Sequence, residues 1–275
     1  MKRKITFSSI MGVLFKIFLT IIFIFPFYWM IITGMKTYQE TVQFPPSLWP
    51  ESIQWDNYKT VWDSGPYPTY LKNSITVCVS VLILQVAIMI PAAYAFAKYD
   101  FKGKNFMFSL IMVAFMIPGQ VTFISIYNMM AKANLLRTLW PQIIPHAANC
   151  FGIFLLRQAF MQVPEELLES ARLDNANEFQ VLTEIMLPMA MPTLISIMLL
   201  SFIAHWNDYF WPFIMSTTKE VYPLTIGIAA LRDVEGAFAW DIIMAGNTIL
   251  VLPIIIVYAI LHKRIIRAFA YTGIK

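Results

Sequence analysis

The sequence predicts an all-α membrane protein with about six transmembrane helices. Three observations carry this. Hydrophobic residues make up 59% of the 275-residue chain and charged residues only 13%, whereas a soluble domain carries about 25% charged residues. One very large core is the alternative, but cores stop growing near roughly 250–300 residues. Apolar runs of about 20 residues, the length that crosses the hydrocarbon layer as a helix, recur along the chain. The basic residues sit at the ends of these runs, so the net charge of +4 reflects topology rather than nucleic-acid binding.

The first span is placed at 11–33, after Met1, Lys2, Arg3 and Lys4. Its apolar stretch is too long for a secretory signal and no small-residue cleavage site follows, so a retained anchor is expected. Lys16 near its start can snorkel to the interface. The other spans are expected at 74–97, 106–130, 139–160, 190–214 and 242–262. An even number of spans puts both termini on one side. If that side is cytoplasmic, the inner segments hold twelve Lys and Arg residues and the outer ones seven. That bias favours a multi-pass protein of a bacterial-type cell membrane with both termini on the cytoplasmic side. The outer 38–72 segment carries Pro45, Pro46, Trp49, Pro50, Trp55 and Trp62, as an interfacial loop should. No internal repeat or linker divides the chain, so residues 1–275 are read as one membrane domain.

The segment between the fourth and fifth spans, about 163–189, is the most informative. Pro164 suits the first position of a helix, and Glu165 and Glu166 favour its positive end. That helix is expected to run to about Leu173. Asp174 and Asn175 then interrupt it, since both compete for backbone hydrogen bonds, and Asn175 is expected to cap a second helix. The second helix would carry Phe179, Leu182 and Met186 on one stripe, with Val181 and Ile185 beside it, and would end at Pro188. Six acids lie here: Glu165, Glu166, Glu169, Asp174, Glu178 and Glu184. One reading is an acidic amphipathic linker on the bilayer surface. Inner-leaflet lipids are anionic, so a helix that lies on them should be basic. The acidic, aromatic-bearing hairpin therefore fits a protein partner better.

Glu169-Ser170-Ala171, Asp174-Asn175-Ala176 and Ile185-Met186-Leu187-Pro188 together resemble the EAA loop of ABC-importer permeases. Ser170 stands where the pattern has Ala, and Asn175 where it has Gly. Asn is the commonest non-Gly residue in left-handed geometry, so the turn survives. The strings Pro26 to Met30, Asn73-Ser74, Ala93 to Phe96, Pro118-Gly119, Phe154 to Gln158 and Trp206-Asn207-Asp208 extend the resemblance along almost the whole chain. They are similar to the carbohydrate-uptake branch, the maltose-type permeases. The resemblance implies a type I ABC importer permease fold with a cytoplasmic coupling hairpin. Its implied partners are a second homologous permease subunit, two cytoplasmic ABC ATPase subunits and an extracytoplasmic solute-binding protein. ATP and Mg would be bound by the ATPase, and this chain would hold no cofactor. The residues expected to dock the ATPase are Glu166, Glu169, Ser170, Ala171, Asp174, Asn175, Phe179, Leu187 and Pro188.

His205, Trp206, Asn207 and Asp208 interrupt an apolar run in the fifth span. A charge at depth is expensive, so Asp208 should face either a water-filled path or a polar partner in a neighbouring helix. Gln120, Tyr127, Trp206, Asn207 and Asp208 are the candidates for the translocation path, because sugars call for aromatic platforms beside groups that match hydroxyls. Cys78 and Cys150 lie inside apolar runs and read as packing residues. The 17 methionines have no ligand spacing, so no metal site is expected. There is no nucleophile–base set, and no Walker-type phosphate loop that would let the chain hydrolyse ATP itself. The sequence thus reads as a transport subunit and not an enzyme. A stand-alone secondary transporter or channel is the alternative; it would need paired intramembrane charges of its own.

Overall fold

The computed structural model describes residues 7–232 and 239–272, with side chains over 11–232 and 239–262. Lys2, Arg3, Lys4 and Lys275, used above in the charge count, lie outside the described residues, as do the side chains of Lys263, Arg264 and Arg267. Every regular element among the described residues is helical. In chain order these are α1 (Phe7–Thr33), α2 (Tyr38–Val42), α3 (Asp56–Asp63), α4 (Tyr67–Lys98), α5 (Lys104–Met116), α6 (Gly119–Lys132), α7 (Trp140–Ile143), α8 (Cys150–Met161), α9 (Glu165–Leu173), α10 (Glu178–Gln180), α11 (Leu187–Trp206), α12 (Phe210–Met215), α13 (Leu224–Ala230) and α14 (Trp240–Thr272). Short 3-10 turns cover Ile144–His146 and Lys219–Val221, and a π-helical stretch covers Val181–Met186.

Four helical stretches among the described residues are long and apolar enough to cross a membrane: Met11–Thr33, Tyr67–Lys98, Glu178–Trp206 and Trp240–His262. A helix satisfies its own backbone groups, which lipid cannot do. The expected 106–130 span is a bent pair instead, α5 and α6, meeting at 97°. Pro118 causes the bend. It has no N–H to donate, and it drives Ile117 to extended geometry (φ −79°, ψ 118°). The expected 139–160 span is not one helix either. Pro141 and Pro145 shorten its first half to α7 and a 3-10 turn. The chain then leaves helical geometry until Asn149 caps the 12-residue α8 through Gly152 N–H.

Two compact units divide the chain. One comprises residues 1–68 and 227–253, the other residues 69–226 and 254–275. In the first unit α1 approaches α14 so closely that a Cβ on Gly34 would lie 2.8 Å from Ala245 N. Lys36, only 1% exposed, places its Nζ on Ser47 O and 4.5 Å from the Trp29 ring centre. Glu40 accepts from the Thr37 and Glu51 N–H groups, which folds the 36–51 segment into a closed loop. Burial lowers the Lys36 pKa, and Glu40 opposes that shift. Trp49 on this loop and Trp55 just after it stay exposed, as an interfacial segment requires. Gly34→Ala should destabilise the purified protein by about 1–3 kcal/mol through overpacking. A thermal melt checks this against Gly12→Ala, where a new Cβ meets nothing within 4 Å and the midpoint should not move.

The second unit is built on a large apolar core, with a smaller cluster of Val77, Val81 and Ile143 apart from it. Met89, Ala93 and Tyr94 of α4 meet Ile153, Leu156 and Phe160 of α8, Leu168 of α9, Val181 and Met186 of the π stretch, and Leu194 and Ile197 of α11. Where water is the alternative, burying each large side chain is worth about 1.5–3 kcal/mol. Where lipid is the alternative, close packing and interhelical hydrogen bonds hold the helices together. This core carries both candidate functional regions.

Candidate functional site

The first region is the hairpin formed by α9 and α10. Pro164 occupies the N-cap of α9 rather than its first turn, and Glu165 and Glu166 follow it. The helix closes at Asp174, and Asn175 turns left-handed at φ 63°. The N–H of Ala176 then bonds Ala171 O at 3.0 Å. The expected left-handed turn is present, but Asn175 does not cap the next helix. Asn177 does, in a reciprocal capping box with Gln180. A residue with positive φ cannot also hold the extended N-cap geometry, so the two roles fall on different residues.

Pro188 does not end the second helix, contrary to the sequence expectation. Helix continues from Glu178 through Trp206. Between them, Val181–Met186 adopts π geometry, and the Leu187 N–H reaches back five residues to Leu182 O. The wider turn puts Pro188 in the opening turn of α11, where a missing N–H is tolerated. It also shifts the apolar stripe. Val181 and Met186 are fully buried, while Phe179 is 72% exposed.

The motif residues therefore separate by face. Ala171 and Leu187 pack against the core. Glu166, Glu169, Ser170, Asp174, Asn175, Phe179 and Pro188 are exposed. Glu166, Glu169, Ser170 and Leu173 follow i, i+3, i+4, i+7 spacing and so share one side of α9. Leu173, 84% exposed, and Phe179 give this acidic surface two unburied apolar side chains.

Polar contacts tie the hairpin to the end of α4. Lys98 Nζ lies 2.9 Å from Glu165 Oε2. The hydroxyls of Tyr94 and Tyr99 donate to Glu178 Oε2 at 2.6 and 2.8 Å. Arg172 Nε donates to Glu178 Oε1 at 3.2 Å, and the guanidinium lies 3.7 Å from Glu165. The hydrogen bond to Glu178 raises the Arg172 pKa. Burial, then the same carboxylate, raises that of Tyr99. Arg157 braces the base by donating to Phe96 O at 3.0 Å while its guanidinium sits 4.2 Å from the Phe108 ring centre.

The second region is a cavity of about 400 Å³ between α4, α5, α8 and α11. Its polar lining is Gln85, His146, Asn149, Ser201 and His205, with Phe115, Phe151 and Ile197 among the apolar walls. Gln85 is the centre of the cluster and only 3% exposed. It accepts from Ser201 Oγ at 2.6 Å and donates to His146 O at 2.9 Å. The His146 and His205 rings lie 4.8 Å apart, and the buried Nε2 of His146 has no hydrogen-bond partner.

The lining of this cavity does not include Gln120, Tyr127, Trp206, Asn207 or Asp208. Gln120 is exposed and Tyr127 half-buried, both on α6. Trp206 is buried and its ring lies 5.6 Å from that of Phe202. Asn207 closes α11 by donating to Ile203 O. Asp208, one residue before the N-cap Tyr209, accepts from the Trp211 N–H in the first turn of α12 at 3.2 Å. It borders a small pocket with Ser74, Gln142 and His205. Gln85 was absent from the sequence reading, although a lone amide within an apolar run was a usable signal. Among the described residues no group of three or more His, Cys, Asp or Glu could hold a metal ion.

Residues 88–271 match the protein family described as binding-protein-dependent transport system inner membrane component. The chain is 29% identical to the arabinooligosaccharides transport system permease protein AraQ of Halalkalibacterium halodurans, over 100% of both chains. It is 27% identical to the sn-glycerol-3-phosphate transport system permease protein UgpE of Yersinia pestis, over 90% of each. It also superposes on a chain of a bacterial ABC transporter involved in the import of the acidic polysaccharide alginate. That match has a TM-score of 0.80 at 23% identity and covers 96% of this chain and 98% of the other.

Proposed function

We propose, from the premise that this chain belongs to the family of binding-protein-dependent transport system inner membrane components, that it is one of two membrane-spanning subunits of an ATP-driven importer of a polyhydroxylated solute. The observation that carries this reading is the division of labour within one core. An acidic hairpin presents Leu173 and Phe179 outward, and the same packed helices border an open cavity whose lining includes hydroxyl-matching groups. The hairpin receives the motion of a cytoplasmic ATPase, which binds ATP and Mg. The cavity, completed by a second permease, passes the solute delivered by an extracytoplasmic binding protein. Gln85, Asn149, Ser201 and the two histidines offer both donors and acceptors, which suits a sugar or sugar-like solute. The solutes after which the relatives are named, arabinooligosaccharides and sn-glycerol-3-phosphate, support that class. The stand-alone transporter alternative loses its support in a family that depends on a binding protein. Both termini and the hairpin lie on the cytoplasmic side.

Reporter fusions test the arrangement. A fusion at Ser170 should read cytoplasmic, and one at Asp56 extracytoplasmic. An extracytoplasmic reading at Ser170 would put the hairpin out of reach of any ATPase and end the proposal.

A further inference from the structure

The contacts at the base of the hairpin form a ring that starts and finishes on α4. Lys98 holds Glu165 at the start of α9, as well as Val163 O at 3.0 Å. Glu165 faces Arg172 near the end of the same helix, and Arg172 holds Glu178. Glu178 closes the ring by accepting both tyrosine hydroxyls, Tyr94 from within the last turns of α4 and Tyr99 from just beyond it. Both bonds fall on a single carboxylate oxygen, and hydrogen bonds to an ionised acceptor are about twice as strong as neutral ones.

The ring matters because of what lies on either side of it. The covalent route from the hairpin into α11 passes through the π stretch Val181–Met186, and helices bend where such a turn interrupts the ladder. The route through Glu178 avoids that stretch and enters α4, a 32-residue helix that stays continuous through Pro91, which lies between Tyr94 and Gln85. Gln85, the centre of the polar cavity, lies on the same helix nine residues before Tyr94, a rise of about 14 Å. We infer that Glu178, Tyr94 and Tyr99 form a latch that passes movement of the hairpin to α4 and so to the cavity wall. The three are positioning residues for the transport stroke. This rests on the reading of the hairpin as the ATPase-docking element. Shared apolar packing holds the two parts together, and the latch fixes their register.

Tyr94→Phe with Tyr99→Phe removes the two hydroxyls and keeps the rings, which pack edge-on at 5.5 Å. Glu178→Ala removes the acceptor. Neither change touches the exposed side of α9. Cys150 lines the cavity and provides a reporter that needs no knowledge of the solute. The test uses the complete importer in a Cys78→Ala background. It measures ATP hydrolysis, ATPase copurification, and the rate of Cys150 alkylation by N-ethylmaleimide with and without ATP and vanadate. In the otherwise unchanged complex the trapped state should alter that rate. In the latch variants hydrolysis and copurification should persist, while the nucleotide-dependent change in alkylation falls about fivefold or more, the low end of ordinary coupling between sites. Combining all three substitutions should cost no more than either set alone, because they break one device. Latch variants whose alkylation responds as in the unchanged complex would overturn the inference. Glu169→Lys, on the exposed side of α9, reports on the docking reading separately. It should abolish hydrolysis and response together, and if both survive it, the docking reading falls and the latch with it.

Discussion

Replacing Phe179 with Asp is expected to release the ATPase from the membrane subunit while the chain still inserts and folds. Phe179 is 72% exposed and contributes nothing to the core, so its loss costs the isolated chain little. On the proposed reading it is the aromatic anchor of the hairpin surface, which also carries the exposed Leu173. Truncating such an anchor costs about 2–4 kcal/mol, roughly a 30- to 1000-fold loss of affinity. A buried, unpaired carboxylate adds to that cost. Copurification of tagged permease with the ATPase, and hydrolysis stimulated by the binding protein, would both collapse. The turn offers an independent check. Asn175 holds φ at 63°, so Asn175→Val should strain it by about 1–3 kcal/mol and weaken docking, whereas Asn175→Gly should be tolerated. Lys102→Glu, an exposed charge change outside the hairpin, should leave copurification intact. Normal copurification and stimulated hydrolysis in Phe179→Asp would contradict the assignment of this face.

The second large effect is expected at Gln85. Gln85→Leu removes the group that both accepts from Ser201 and donates to His146 O, and it leaves both without that partner beside the cavity. If these groups meet solute hydroxyls, ATP-driven uptake into vesicles should fall at least about tenfold, the effect of losing one or two hydrogen bonds. The complex should still assemble, because the helices around Gln85 also share the apolar core. Ser201→Ala should give a smaller loss in the same direction. Were the cluster only interhelical glue, the yield of complex would drop and the surviving complex would transport at the normal rate. Uptake and yield measured on one preparation separate these outcomes.

The sequence disclosed the parts of this architecture that local physics controls. Apolar runs long enough to cross a membrane marked α1, α4 and α14, since length and composition decide such helices by themselves. The left-handed turn at Asn175 was legible because few residue types adopt it. Pro118 is visible in the sequence, but the 97° break of the 106–130 run there is not, since packing sets the direction of a bend. The continuation of helix through Pro188 was hidden. A proline normally ends a helix, and nothing local announces that a π turn will absorb it. The polar turn at Trp206 to Asp208 was conspicuous in an apolar run. In the structure Asn207 closes α11, and Asp208 holds the first turn of α12 while bordering a small pocket. The cavity residues come from segments as far apart as Gln85 and Ser201, 116 positions along the chain. Tyr94 reaches Glu178 across 84 positions. No window of sequence contains such pairs, so they become visible only when the helices are packed.

The most direct test of the central claim places a photoreactive amino acid at position 179 of the chain and irradiates the assembled importer. A covalent adduct between this position and the ATPase subunit is expected, lost in the Glu169→Lys background. An importer that transports normally but yields adducts at position 179 only to lipid, or to none of its protein subunits, would contradict it.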